Sequence, residues 1–361
     1  MRILMLLSSQ YVTGPSELCL SDAEALRAQG HEVWFGCDTR REGNYARTIE
    51  QAGFTLRREL TLCQVPRAGE VVKDLLALRR LLREVDLVHA RFSHDHLLSE
   101  LARGRTPLVR TVENAKAMTR RAGKDWLLRR ANGVIVSCEP YARELSSRGV
   151  APERVHVVPG RVDATRFTPG PSRLRAELGL EHSPTLVIVS RIKPDRRHTW
   201  LIDAFAQADL PAEARLLIVG RGEGREAVEA HVQSRGLTAR VHFTGYRKGP
   251  DLVDAYRAGD AVAWLAEGND GTCRAVLEAM ACGRPVLGAA EGAIAEAIVP
   301  EETGLLVPPG DVAALALAIG RVLRNPGLAE SWGQAARRRA EQFTPSRRAQ
   351  ALLSVYERAC S

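Results

Sequence analysis

A chain of 361 residues with 45% hydrophobic content is too long for one ordinary core and suits two domains of about 150 to 200 residues. Its formal charge of +8 favours anionic partners, whether lipid, a phosphorylated small molecule or nucleic acid, and nucleic acid is disfavoured because no finger, helix-turn-helix or aromatic RNA-binding signature accompanies the charge. Seven cysteines, odd in number and without a CxxC pair, argue against a disulfide framework or a zinc site and for a reducing, cytoplasmic compartment.

The apolar run from Met1 to Leu7 is far below the roughly 18 residues of a membrane span. Polar Ser8-Ser9-Gln10 follows it with no small-residue cleavage site, so it reads as a first core strand rather than a secretory signal. Further strands are expected at 31–37, 54–58, 86–89, 107–111, 133–137 and 154–158, and helices at about 17–29, 69–83, 94–102, 122–130 and 139–147. Apolar strands alternating with amphipathic helices predict a parallel sheet covered on both faces. Residues 159–184, rich in Pro, Gly and Ser, read as a linker. A second series follows: strands at 185–190, 215–219, 241–244, 261–265 and 285–288, helices running to about 208 and to about 235 and over 272–282, and helices at about 311–324, 328–341 and 346–359. The expected α/β architecture is two Rossmann-like domains facing across a cleft, with ligand at the carboxyl ends of the strands.

Candidate chemistry sits at those strand ends. After the strand ending near Leu265, a polar loop containing Asp270 and Gly271 precedes a helix starting near Thr272, Cys273 and Arg274, whose backbone N–H groups can take a phosphate. Glu278, on an otherwise apolar stretch of that helix, calls for a partner such as a ribose hydroxyl; as plain structure, Asp270 is a cap and Glu278 a salt-bridged residue. The loop after 185–190 carries Arg191, Lys193, Arg196 and Arg197, paired charge suited to a diphosphate. No P-loop pattern is present, and Gly220-Arg221-Gly222-Glu223-Gly224 lacks the acidic partner of a dinucleotide fingerprint, so turn glycines explain it equally well.

In the first half, Thr13-Gly14-Pro15-Ser16 is a turn or a close approach of backbone to ligand. His89, Arg91, His94, Asp95 and His96 cluster after another strand and read as a metal site, ordinary polar packing or a sugar- or acceptor-binding group; no metal is expected, because His94 and His96 cannot share one helix face. Between Arg103 and Arg130 lie nine basic residues against Glu113 and Asp125, and the helical spacing of Arg120, Arg121, Lys124, Arg129 and Arg130 suggests a face for an anionic membrane surface or a charged acceptor, or else a merely solvated face.

Taken together, these residues resemble the retaining glycosyltransferases of family 4, which have the GT-B fold. The resemblance spans nearly the whole chain, through Gly30-His31-Glu32-Val33, Val158-Pro159-Gly160-Arg161-Val162-Asp163, Arg166-Phe167, Leu277-Glu278-Ala279-Met280-Ala281-Cys282-Gly283 and Thr303 to Asp311. It implies an N-terminal acceptor-side domain over 1–165, a nucleotide-sugar domain over 166–341 and a C-terminal helix over 342–361 packing back toward the first domain. It further implies that Glu278 holds ribose, that Arg191 and Arg196 hold the diphosphate with arginine at 196 in place of the family's lysine, and that Asp270 stands for the first carboxylate of a paired-glutamate motif. Gly14 is what remains of a Gly-Gly loop, Tyr246 belongs to a base-contacting loop, and Gly271, Thr272, Cys273 and Arg274 border the phosphates. Glu113 occupies the place of a cleft histidine, and the string from Arg91 to His96 is similar to that of a bacterial subgroup acting on cell-envelope or related glycans, so Arg91, Asp95, His96 and Glu113 are expected on the acceptor side.

The implied activity is transfer of a sugar from a nucleotide-diphosphate sugar to a glycan, lipid-linked or small-molecule hydroxyl, with retention and with no cofactor beyond the donor. A nucleotide-sugar epimerase and a non-catalytic sugar-nucleotide-binding subunit are the competing functions, and a peripheral position on the inner face of a membrane is an option for the location.

Overall fold

The computed structural model describes the chain except residues 41–42, 64, 66, 113, 115–116, 121 and 267–270. Two compact units emerge: Met1–Pro159 with Pro345–Ser361, and most of the stretch from Gly160 to Thr344.

The first unit runs β1 (Arg2–Leu7), α1 (Gly14–Ala28), β2 (Glu32–Cys37), α2 (Tyr45–Gln51), β3 (Thr55–Leu56), α3 (Ala68–Leu81), β4 (Leu87–Ala90), α4 (Ser93–Ala102), β5 (Leu108–Val112), α5 (Ala122–Arg130), β6 (Gly133–Val136), α6 (Glu139–Ser147) and β7 (Val155–Val157). Its sheet is parallel in the order β3-β2-β1-β4-β5-β6-β7. The period of two along β1 explains why both faces must be covered. Ile3, Met5 and Leu7 enter one core with α1 and α2, while Leu4 and Leu6 enter another with α3 and α4.

The second unit runs α7 (Arg173–Glu177), β8 (Thr185–Val189), α8 (His198–Gln207), β9 (Arg215–Val219), α9 (Arg225–Ser234), β10 (Val241–Gly245), α10 (Pro250–Arg257), β11 (Ala261–Trp264), α11 (Arg274–Ala281), β12 (Val286–Ala289), α12 (Gly292–Ala297), β13 (Gly304–Val307), α13 (Val312–Leu323) and α14 (Pro326–Ala340). Its parallel sheet has the order β10-β9-β8-β11-β12-β13. The last helix, α15 (Pro345–Cys360), belongs to the first unit, where Ala349, Leu352, Val355 and Tyr356 share a core with β1 and β4.

Most elements lie where the periodicity predicts them, and the exceptions have local reasons. Helix α2 buries only Tyr45 and Ile49, so it carries almost no periodic signal. Strand β13 is four residues long, and α10 and α12 are short as well. The stretch read as a linker is in fact bound tightly to the second unit. Phe167 meets Tyr256 edge-on with ring centroids 6.0 Å apart. The Asp254 carboxylate accepts from the backbone N–H groups of Arg173 and Leu174 at 2.8 and 2.9 Å, and Arg175 pairs with Asp260 at 2.8 Å. The composition showed the turn formers but not these partners, which lie about eighty residues away. Among the described residues no single helix is long and apolar enough to cross a membrane.

Candidate functional site

Strand order reverses between β1 and β4 in the first unit and between β8 and β11 in the second. In open α/β sheets the crevice at the carboxyl ends of such a strand pair is where ligands bind. In the second unit the β8 end continues through Ser190, Arg191 and Ile192 into a 3-10 turn, Pro194–Arg196, and then α8. The β11 end leads through Leu265 to the start of α11. Arg197 links the two ends: its guanidinium donates to the Leu265 carbonyl at 2.6 Å and pairs with Glu291 at 3.0 Å.

Two non-glycine residues adopt left-handed backbone here, Arg197 at φ 59° and Cys273 at φ 44°. Such conformations cost about 1 to 3 kcal/mol each and persist only where surrounding contacts hold them. The Arg197 contacts do so on one side, and the Cys273 thiol, 3.5 Å from the Ala293 carbonyl, does so on the other.

The glycine string after β9 also has a positional reason. Ile192 N–H donates to the Arg221 carbonyl at 3.1 Å, Gly224 N–H to the Ile192 carbonyl at 3.0 Å, and Gly220 N–H to the Gly245 carbonyl at 2.9 Å. A Cβ on Gly222 would lie 2.1 Å from the Ile192 oxygen. These glycines let three loops mate backbone to backbone, so the loop carrying Arg191 is braced by the β9 loop, which is bonded in turn to the residue before Tyr246.

On this frame Arg191 is exposed and Arg196 is buried, its Nε 3.7 Å from the Asp195 carboxylate. Lys193 is held by Glu223 at 2.9 Å. His198, 3.0 Å from the Ser190 hydroxyl, is pushed down to about 4 by burial and by Arg196, so it is neutral at pH 7 and the loop's positive charge comes from Arg and Lys. Tyr246 is exposed, with the Arg221 guanidinium 4.8 Å from its ring centroid. Thr272 and Cys273 are buried at the start of α11, whose N-terminus carries partial positive charge. One turn further, Glu278 is buried; its Oε2 accepts from the Tyr256 hydroxyl at 2.8 Å and its Oε1 lies 3.7 Å from Arg274. Burial and the Glu278 charge push the Tyr256 phenol well up, so it remains a donor.

In the first unit the two strand ends are also bonded together. The Asp95 carboxylate accepts from Ser8 N–H at 3.2 Å, from the Ser8 hydroxyl, and from Phe92 N–H at 2.9 Å, where it caps α4. Burial pushes this carboxyl up, opposed by those hydrogen bonds. Gly14 is the first residue of α1, behind a turn closed by Thr13 N–H on the Ser16 hydroxyl at 2.5 Å.

The expectation that Arg91 faces an acceptor is corrected. Its side chain is fully enclosed and pairs with Asp22 at 2.5 Å, and Arg348 holds the other Asp22 oxygen at 2.7 Å. Asp22 sits on the buried stripe of α1 and Arg348 on that of α15, so this triad joins α1, the end of β4 and α15. Although burial alone would raise it, the Arg348 and Arg91 charges bring the Asp22 carboxyl down to about 2. Asp95 likewise has no exposed surface, its oxygens being engaged by Ser8 and Phe92. His96 is buried and pushed down to about 3 by burial, Arg110 and Arg103, so it is uncharged at neutral pH. His89 is bound on both ring nitrogens, to Tyr356 at 2.8 Å and Thr111 at 2.6 Å, which is polar packing. Among the described residues no three His, Cys, Asp or Glu side chains are grouped to hold a metal ion. Asp270 and Glu113 lie outside the described residues.

The structure thus brings Arg191, Arg196, Tyr246, Thr272, Cys273, Arg274 and Glu278 to one unit, on the loops after β8 and β10 and at α11, and Gly271 is buried just ahead of that helix. Sequence reasoning missed Tyr256, Arg197 and Glu291 as its supports. It also missed Asp22 and Arg348, although a charged residue on an apolar helical stripe signals a buried partner.

A family model described as Glycosyltransferase Family 4 matches residues 14–166, and one described as Glycosyl transferases group 1 matches residues 172–339. The D-inositol 3-phosphate glycosyltransferase of Salinispora arenicola is 33% identical over 306 residues, covering 75% of this chain and 68% of the relative. That of Jonesia denitrificans is 31% identical over 279 residues, covering 73% of this chain, and the alignment takes in 65% of the relative's own length. The chain therefore spans about two thirds of such curated relatives. Among solved structures, Anabaena HepE in complex with UDP superposes with a TM-score of 0.85 at 23% identity, covering 98% of this chain and 99% of the other. Sucrose-phosphate synthase from Thermosynechococcus elongatus does so with a TM-score of 0.79 at 23% identity, covering 99% and 98%. These structural likenesses show the fold.

Proposed function

The chain belongs to the family 4 glycosyltransferases of GT-B fold, and from that membership we propose that it transfers a sugar from a nucleoside-diphosphate sugar to a hydroxyl acceptor, retaining the anomeric configuration. The observation that carries the reading is the pairing, at the β8–β11 reversal, of an arginine loop with the N-terminus of α11, and the buried carboxylate of Glu278 one turn beyond.

In this reading Arg191 and Arg196 bind the diphosphate, Glu278 takes the ribose hydroxyls, Tyr246 stacks near the base, Gly14 lets the first loop approach the donor, and the first unit serves the acceptor. UDP is the nucleotide of choice for a first test because HepE is known in complexes with UDP and UDP-glucose. The bond from the sugar's anomeric carbon to the leaving phosphate oxygen breaks. The acceptor oxygen bonds to that carbon on the same face, and the acceptor proton passes to the departing phosphate. The two arginines and the helix N-terminus stabilise the charge that grows on the diphosphate. The relatives' name points to a phosphorylated polyol as the acceptor class, and a peripheral, cytoplasmic site on an anionic membrane fits the basic charge.

A panel of UDP-sugars with inositol phosphate, glycan and lipid-linked acceptors, read by UDP release and product anomer, tests the proposal. Arg191→Ala and Arg196→Ala are each expected to weaken UDP binding, by about 1.5 to 3 kcal/mol for a lost charged hydrogen bond. Unchanged UDP titration in both variants overturns the diphosphate assignment. A product that is only an isomerised donor sugar indicates epimerisation, and binding without turnover across the panel a non-catalytic role.

A further inference from the structure

Helices α3, α4 and α5 lie side by side in the first unit, α4 packing against both neighbours. Their undersides are apolar, as packing on a sheet requires: Leu78, Leu81, Leu98, Ala102, Leu127 and Leu128 are buried. Their outer sides are apolar too. Val72 and Leu76, one turn apart on α3, are 57% and 55% exposed; Leu97 and Leu101, one turn apart on α4, are 40% and 52% exposed; Trp126 on α5 is 47% exposed. Single exposed apolar residues are ordinary, but these five are most of the large exposed hydrophobics among the described residues, and they sit on three adjacent helices.

The charge around this row has one sign. On α3, Lys73, Arg79 and Arg80 are exposed on the same side as Leu76, at spacings of three and four residues. Every acid of the three helices is already engaged. Glu70 pairs with Arg40 at 3.0 Å, Asp74 accepts from Thr61 and Leu62, Asp95 from Ser8 and Phe92, Glu100 pairs with Arg103 and Arg130 at 2.9 and 2.5 Å, and Asp125 pairs with Arg148. The basic strip expected along residues 120–130 is only part of this surface, since Arg130 is tied to Glu100 and Arg129 donates to the Arg148 carbonyl at 3.2 Å. A second copy of the chain seated here two-fold symmetrically would set the same basic rim against itself.

We propose that the outer face of α3, α4 and α5 is a docking surface for an anionic bilayer, with Val72, Leu76, Leu97, Leu101 and Trp126 entering the headgroup boundary and Lys73, Arg79 and Arg80 contacting lipid phosphates. Apolar burial and charge attraction act together in such reversible attachment, and neither alone holds a protein of this kind firmly. The inference goes beyond the donor chemistry and does not depend on it.

Trp126 supplies a direct probe, because the other four tryptophans, Trp34, Trp200, Trp264 and Trp332, are each less than a tenth exposed. The full chain is sedimented with phosphatidylcholine vesicles and with vesicles containing a third phosphatidylglycerol, at low and high salt, while acrylamide quenching follows Trp126. Expected are binding to the anionic vesicles only, a blue-shifted emission and a loss of quenching. Replacing Lys73, Arg79 and Arg80 by Ser lowers the partition about fivefold per charge at low salt. Leu76→Ser with Leu101→Ser lowers it at least tenfold at both salt concentrations. Far-ultraviolet circular dichroism and thermal unfolding of the variants, whose substitutions all lie in the first unit, serve as the control for folding and are expected to match the parent. The proposal is overturned by equal binding to both vesicle types, by no binding, by variants that bind as the parent does, or by a concentration-dependent doubling of mass that the Leu76/Leu101 variant abolishes, which makes the face a contact between copies.

Discussion

Tyr256→Phe isolates a single hydrogen bond beneath the proposed ribose site. The phenol donates to Glu278 at 2.8 Å, with Tyr256 fully buried and Glu278 nearly so. Phenylalanine retains the ring, its volume and its edge contact with Phe167, so only the hydroxyl is lost. A hydrogen bond to a charged group contributes about 1.5 to 3 kcal/mol. Part of that loss lowers stability, by about 3 to 6 °C in melting temperature if 1.5 kcal/mol falls on one unit of this size. Part reaches the ligand, because a carboxylate without its donor must be re-oriented on binding; a tenfold weaker Kd for UDP corresponds to about 1.4 kcal/mol. Calorimetric titration with UDP and thermal unfolding are run on the parent, Tyr256→Phe and Glu278→Gln. The expected order of affinity is parent, then Tyr256→Phe, then Glu278→Gln. A Tyr256→Phe protein that melts lower yet binds UDP as the parent does refutes the reasoning, leaving the hydroxyl as a staple between α10 and α11.

Gly222→Ala forces a Cβ to within 2.1 Å of the Ile192 oxygen, which displaces the loop carrying Arg191. UDP affinity is expected to fall about tenfold, a change of roughly 1.4 kcal/mol, and an unaltered Kd shows that this loop mating does not position the diphosphate group. Asp22→Asn tests the buried triad through pH. The folded-state carboxyl lies at about 2, below an unfolded value of about 3.9, so its stabilisation is present above pH 4 and lost as pH falls through 2. Urea unfolding is expected to show Asp22→Asn less stable by about 3 kcal/mol at pH 7, most of the difference vanishing between pH 4 and 2; a penalty independent of pH contradicts the ion-pair account.

Hydrophobic period and turn composition sufficed to read two alternating β/α series and most strand positions, because a strand covered on both faces must be apolar wherever it sits. The same local logic marked Glu278 and the arginines after β8, since a carboxylate on an apolar helix and clustered cations in a strand-end loop are anomalies visible without a structure. What local reasoning could not reach is who answers those anomalies. Tyr256 meets Glu278 from another helix, Glu291 holds Arg197 from nearly a hundred residues away, and Asp22 joins Arg348 across more than three hundred. Arg91 has the composition of a ligand contact, and only tertiary packing turned it inward to a buried carboxylate. The outer row on α3, α4 and α5 escaped notice for a related reason: apolar residues on a helix read as core until neighbouring helices decide which side faces the sheet. Periodicity along the chain sets which residues share a face, but long-range pairing decides what that face meets.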